Sequence, residues 1–170
     1  MIQQTTNIKL QSQGQPIAPS PEIQRLHLFV GTWKIEGETH ASAGAPAVKV
    51  TGVDTYEWLA GKFFLVHRAD RQIGNEQLNK LEFIGYDPSS QIYTCHSFVG
   101  VPSSRNENSR GNADLYQANL RDHTWTVEGK LARFTGVFAS SGNTLTGTWE
   151  QSSDGLNWLL WMDVKLTKIS

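Results

Sequence analysis

From Thr32 onward the side chains alternate between apolar and polar in run after run, and each run ends in a turn signal. A period of two is the mark of a half-buried strand, whose successive side chains point to opposite faces. In the first run Trp33, Ile35 and Gly37 share one face, and Thr32, Lys34, Glu36 and Glu38 the other. Similar runs follow at about 47–58, 62–71, 78–87, 91–101, 113–121, 124–128, 130–139, 144–151 and 157–168. The stretches LAGK, YDPSS, LRDH, SSGN and SDGL separate them with residues suited to tight turns. About ten short strands joined in this way describe an antiparallel meander, and closing it removes the exposed edges. The expected fold is therefore all-β, a closed up-and-down barrel.

One short helix is expected before the first strand. Ser20 can cap it and Pro21 suits its first turn, so the helix runs from Pro21 to about Leu28 and stops before Gly31. Residues 1–19 are rich in Gln, Ser, Thr and Pro and have little apolar surface to bury, which predicts a flexible arm followed by one barrel domain over 20–170. A second polar stretch, VPSSRNENSRGN at Val101 to Asn112, reads as the longest loop, either a flap over one barrel end or a surface excursion without a role.

The opening FVGTWKIEG places a glycine and a tryptophan where the helix hands over to the first strand. Glycine permits close backbone approach, and an indole offers a large apolar area with an N–H that can reach a carbonyl. Trp33 thus reads as the floor of the barrel.

Several motifs in order carry a resemblance. LHLFVGTWKIEGE, EWLAGKFFL, FIGYDPSSQIYTCHSF, TLTGTW and the closing DGLNW together resemble the bacterial domain of unknown function 1579, from about Leu26 to Lys168. That resemblance implies a calycin-like barrel, the superfold of lipocalins and fatty-acid-binding proteins, and no assigned reaction. Members usually carry an acidic residue after the Phe of the SF strand end, where this chain has Val99. The GTWKIEGE opening is also similar to nitrobindins, barrels that hold a haem through a histidine near the C-terminal end. Here the last histidine is His123, and NWLLWMDVKLTK has none.

Charge and cysteine content narrow the function classes. Fifteen Lys and Arg against 16 Asp and Glu leave a formal net charge of -1, with the basic residues dispersed, so nucleic acid is not an expected partner. Cys95 is the only cysteine, which excludes an intramolecular disulfide and a thiolate metal cluster. The first residues lack the pattern of an export signal and no run is long enough to span a bilayer as a helix, so a cytoplasmic protein without membrane contact is expected. No Gly-rich phosphate loop leads a strand into a helix, and no cofactor is called for.

Two histidines fall within apolar alternations: His67 in phase with Phe63 and Leu65, and His96 in phase with Ile92 and Phe98. Facing inward, either could be a base, a hydrogen-bonding group for a ligand, or half of a metal pair, or else a core histidine satisfied by its neighbours. Asp54, in phase with Val50, Tyr56 and Trp58, is the only third candidate, and three scattered residues do not make a metal site. Cys95 cannot pair with His96, because adjacent strand residues point to opposite faces. On the last strand Trp158, Leu160, Met162, Val164 and Leu166 form the expected inner face. Leu159, Trp161 and Asp163 then point outward, and that apolar strip makes a homodimer plausible.

Aromatic residues are the richest signal: six Trp, seven Phe and four Tyr. Trp58, Tyr86, Trp149 and Trp158 are expected to wall a cavity, with His67, His96 and Asp54 as its polar groups. The expected function is a barrel holding a hydrophobic or aromatic small molecule. The alternatives are a cyclase or isomerase in which His67 or His96 moves a proton, and a nitrobindin-like haem protein.

Overall fold

The computed structural model describes residues 18–42, 45–100 and 112–170. The segment expected to be a flexible arm, but for its last two residues, and all of the 101–112 loop except Asn112 lie outside the described residues. Ten strands follow one short helical segment. They are β1 (Gly31–Thr39), β2 (Lys49–Trp58), β3 (Leu65–Ile73), β4 (Glu76–Asp87), β5 (Ile92–Gly100), β6 (Asn112–Arg121), β7 (Thr124–Glu128), β8 (Ala132–Phe138), β9 (Thr144–Gln151) and β10 (Leu159–Lys168). Each pairs antiparallel with its sequence neighbour, and β1 pairs with β10, so the sheet closes into an up-and-down barrel with no free edge. This is the expected fold class, with strand boundaries displaced by only a few residues.

The helical segment closes one end. Its α-helical turn, α1 (Pro21–Arg25), starts where the Ser20 hydroxyl accepts a hydrogen bond from the Ile23 amide, and it tightens into a 3-10 turn over Leu26–Phe29. Phe29 enters the barrel and meets Tyr56, Trp125 and Phe138 at ring distances of 5.4, 5.1 and 5.0 Å. Trp33 lies beneath this cap, fully buried, and its Nε1 donates to the Phe29 carbonyl at 2.6 Å. Gly31 has a φ of +131°, and a Cβ there would sit 2.3 Å from the Ser170 carbonyl oxygen. The glycine and tryptophan of the opening motif thus lock the helix, the first strand and the C-terminus together.

A bulge interrupts β10 between Leu160 and Met162, where the register against β9 shifts. It corrects the expectation for this strand. Met162, Val164 and Leu166 point inward, but upstream of the bulge the phase is lost, so Leu160 is exposed and Trp161 turns in beside Met162. Of the strip expected outside, Leu159 and Asp163 remain exposed, and Trp161 leaves it.

Candidate functional site

Halfway along the barrel the core stops being apolar. Strands β2, β3 and β4 bring Asp54, His67, Arg71, Lys80 and Glu82 onto the inner face, because 54 with 56, 67 with 71, and 80 with 82 keep the inward phase of each strand. Asp54, His67 and Glu82 are buried, and the side chains of Arg71 and Lys80 are only 12 and 13 per cent exposed. Charged groups at this depth persist only when paired and hydrogen-bonded.

The pairing runs as a chain across three strands. Arg71 grips Asp54 with a two-pronged contact, Nε to Oδ1 at 3.0 Å and Nη2 to Oδ2. Asp54 Oδ2 lies 3.1 Å from His67 Nε2, while His67 Nδ1 lies 2.9 Å from Glu82 Oε2. Lys80 Nζ closes the chain on Glu82 Oε1 at 2.9 Å. The imidazole is thus held between two carboxylates, one at each nitrogen. Which ring nitrogen donates depends on the tautomer. Tyr56 stacks on the ring at 4.0 Å with planes 10° apart.

Electrostatics agree with the contacts. Burial by itself raises the Asp54 carboxyl, but the Arg71 guanidinium and the His67 ring outweigh it and hold Asp54 well below the usual carboxylate range. Burial also opposes ionisation of Glu82, and there the Lys80 ammonium and the His67 ring prevail, leaving its pKa at about 2. Burial pushes the Tyr56 hydroxyl and the Cys95 thiol upward, so both stay neutral.

Two cavities meet at this chain. The inner one, about 40 Å³, lies between His67, Glu82 and the aromatic floor of Phe29, Tyr56 and Trp125. The outer one, about 110 Å³, lies toward the end opposite the capping helix, among Tyr116, Trp149, Trp161, Ser97 and Met162. Arg71, Lys80 and Trp149 line both.

The expected site residues separate into those the interior contains and those it does not. Asp54, His67 and Trp149 lie inside. Tyr86 keeps the inward phase but sits at the closed end, tilted against Tyr93 with ring centres 5.2 Å and planes 58° apart. Trp58 ends β2 outside that cap, in an open cleft with Pro19, Gln24, His27 and Lys62. His96 is exposed, contrary to the inward placement expected of it. Tyr93, Cys95 and Ser97 take the inner face of β5, and Ile92, His96 and Phe98 the outer one. Trp158 is likewise not a cavity wall: it precedes β10 and lies under the Arg133 guanidinium, 4.5 Å from its ring centre. That arginine is held outside by Glu150 at 2.7 and 2.9 Å.

Arg71, Lys80, Glu82 and Tyr116 were not named as site residues from the sequence, and Trp161 was placed on the outer face. Three of them carried a readable signal. Arg71 continues the phase of His67, and Lys80 and Glu82 continue that of Ile84 and Tyr86, so charges stood on faces whose neighbours are buried.

A metal has no place here. Among the described residues no group of three or more His, Cys, Asp or Glu could hold one, and the two carboxylates sit on opposite nitrogens of His67 instead of converging on a point. The haem implied by the nitrobindin resemblance does not fit the two interior cavities. His67 is engaged at both nitrogens, His96 is outside, and His123 is exposed at the β6–β7 turn of the closed end. Both cavities are also far below the roughly 300–1,000 Å³ of sites for larger ligands.

Comparison with known proteins supplies a family and a fold. The family model described as protein of unknown function (DUF1579) matches residues 18–137. No curated protein matches the sequence. A crystal structure of Rv2717c from M. tuberculosis is similar with a TM-score of 0.60 and 9% identity, covering 89% of this chain and 99% of that one. At that identity the likeness concerns the fold alone. No helix among the described residues is long and apolar enough to cross a membrane.

Proposed function

The chain belongs to the DUF1579 family, and we propose that its barrel binds a compact small molecule toward the end opposite the capping helix, with an aromatic or apolar body lodged against the inner tryptophans. The observation that carries this reading is the outer cavity, walled by Tyr116, Trp149 and Trp161 and sharing Arg71, Lys80 and Trp149 with a smaller, mainly apolar cavity below. Flat rings on several sides of this space favour a planar guest. An engineered apolar cavity of ~150 Å³ holds benzene, so an outer cavity of about 110 Å³ suits a ligand of no more than about one ring.

Of the residues expected to contact a ligand, Trp149 is the one this reading relies on, with Asp54 and His67 fixing the polar floor. A cyclase or isomerase would need a histidine free to exchange a proton with its substrate. His67 is held at both nitrogens and His96 lies outside, so no observation favours catalysis. Of the strip that suggested a homodimer Leu159 stays exposed and Leu160 replaces Trp161 beside it, and light scattering on purified protein measures the oligomeric state directly.

Benzyl alcohol, titrated while tryptophan fluorescence is followed, tests the reading. The change should saturate, and Trp149→Ala should weaken binding by about fivefold, the scale of one aromatic contact, with the circular dichroism spectrum unchanged. A linear response would show that the probe does not enter a site.

A further inference from the structure

Arg71 and Lys80 are buried cations that border both cavities, and each is paired with a single carboxylate, Asp54 for Arg71 and Glu82 for Lys80. His67 lies between those two carboxylates. Burial pushes the inward-facing Tyr56, Tyr93, Tyr116 and Cys95 upward, so none of them supplies a negative charge. Glu76 on β4 and Asp114 on β6 keep the inward phase, but they lie exposed at the rim, where water screens them.

The two cations that border the cavities also have donors to spare. Arg71 commits Nε and Nη2 to Asp54, leaving the Nη1 side, and Lys80 commits one of three hydrogens to Glu82. They stand on neighbouring strands one inward position apart, with Ala69 opposite Lys80 and Arg71 opposite Leu78. Just above them are the rings of Tyr116, Trp149 and Trp161.

We propose that the barrel selects an anionic ligand of one aromatic ring, whose carboxylate lies between Arg71 and Lys80 and whose ring fills the outer cavity. This rests on the binding reading above and names the chemical class it takes. The carboxylate accepts the free hydrogens of both cations and leaves the Asp54–His67–Glu82 chain intact. The size follows from the outer cavity.

Benzoate, benzyl alcohol and benzylammonium share a ring and differ in charge, and their binding at equal ionic strength by isothermal calorimetry separates the possibilities. Benzoate should bind at least about tenfold more tightly than benzyl alcohol, and benzylammonium should not saturate. Lys80→Met, which leaves Glu82 its contact with His67, should cost benzoate about tenfold and leave benzyl alcohol within about twofold, while Lys80→Arg restores the preference. Equal affinities for benzoate and benzyl alcohol in the unmodified protein overturn the anion site and leave the ring site standing. Equal losses for both probes in Lys80→Met overturn it too, because the lysine would then act by shape. If no probe binds, both readings fail. Should Lys80→Met not fold, the three-probe comparison on the unmodified protein decides alone.

Discussion

His67 shows how much one side chain can organise. Its two nitrogens join carboxylates from two other strands, and its face rests on Tyr56, so β2, β3 and β4 are tied together at one point inside the barrel. Replacing it with Phe keeps a ring for Tyr56 to stack on but leaves two buried carboxylates without their shared hydrogen-bonding partner. We expect His67→Phe to lower the unfolding free energy in urea by about 3–5 kcal/mol; a loss under about 1 kcal/mol would mean the chain is not coupled through this ring. The acid limb of stability belongs to the same contacts. Glu82 has a folded pKa of about 2 against an ordinary 4.5, so its contribution is complete above that ordinary value and is lost as pH falls through the folded one. The difference corresponds to about 3 kcal/mol, and Asp54 acts in the same direction. Urea unfolding at a series of pH values should show stability falling steeply below about pH 4.5, and a shallower fall in Glu82→Gln.

At the level of elements, the helix-to-strand junction and the β10 bulge decide what the barrel ends look like. The junction was legible, because a capping serine, a first-turn proline and a Gly-x-Trp entry into an alternating run each signal their own geometry. Gly31→Ala should lower the melting temperature markedly, with a cost of about 1–3 kcal/mol. The φ of +131° is poor for alanine, and the new Cβ would run into the Ser170 carbonyl. An unchanged melting temperature would show that the C-terminus is free to move aside. The bulge was not legible. Nothing in LNWLLWMDV marks where one residue is added, and both phases of that stretch are apolar, so strict alternation assigned Trp158 and Leu160 inward and Trp161 outward. The same ambiguity misplaced His96, since β5 carries Ile92 and Phe98 on one face and Tyr93 and Cys95 on the other.

For the whole molecule, the closed hydrogen-bond ladder from β1 round to β10 encloses the described core, which Leu26 and Phe29 of the capping segment complete at one end. Removing residues 1–17 leaves Ser20 and Pro21 in place and takes away a segment with little apolar surface, so the melting temperature should stay within about 2 °C in a calorimetric scan. A larger drop would mean that this polar segment packs on the barrel. The sequence by itself determined the strands, their turns, the capping helix and the floor, because period, turn chemistry and capping are local properties written into a few consecutive residues. Only the tertiary structure decided which charges meet. The contacts of Asp54, His67 and Glu82 span 13 and 15 positions along the chain, and they depend on strand register and on how deep each inward position lies. An alternating pattern specifies neither, so the buried charged chain and the cavities beside it became visible only when the barrel had closed.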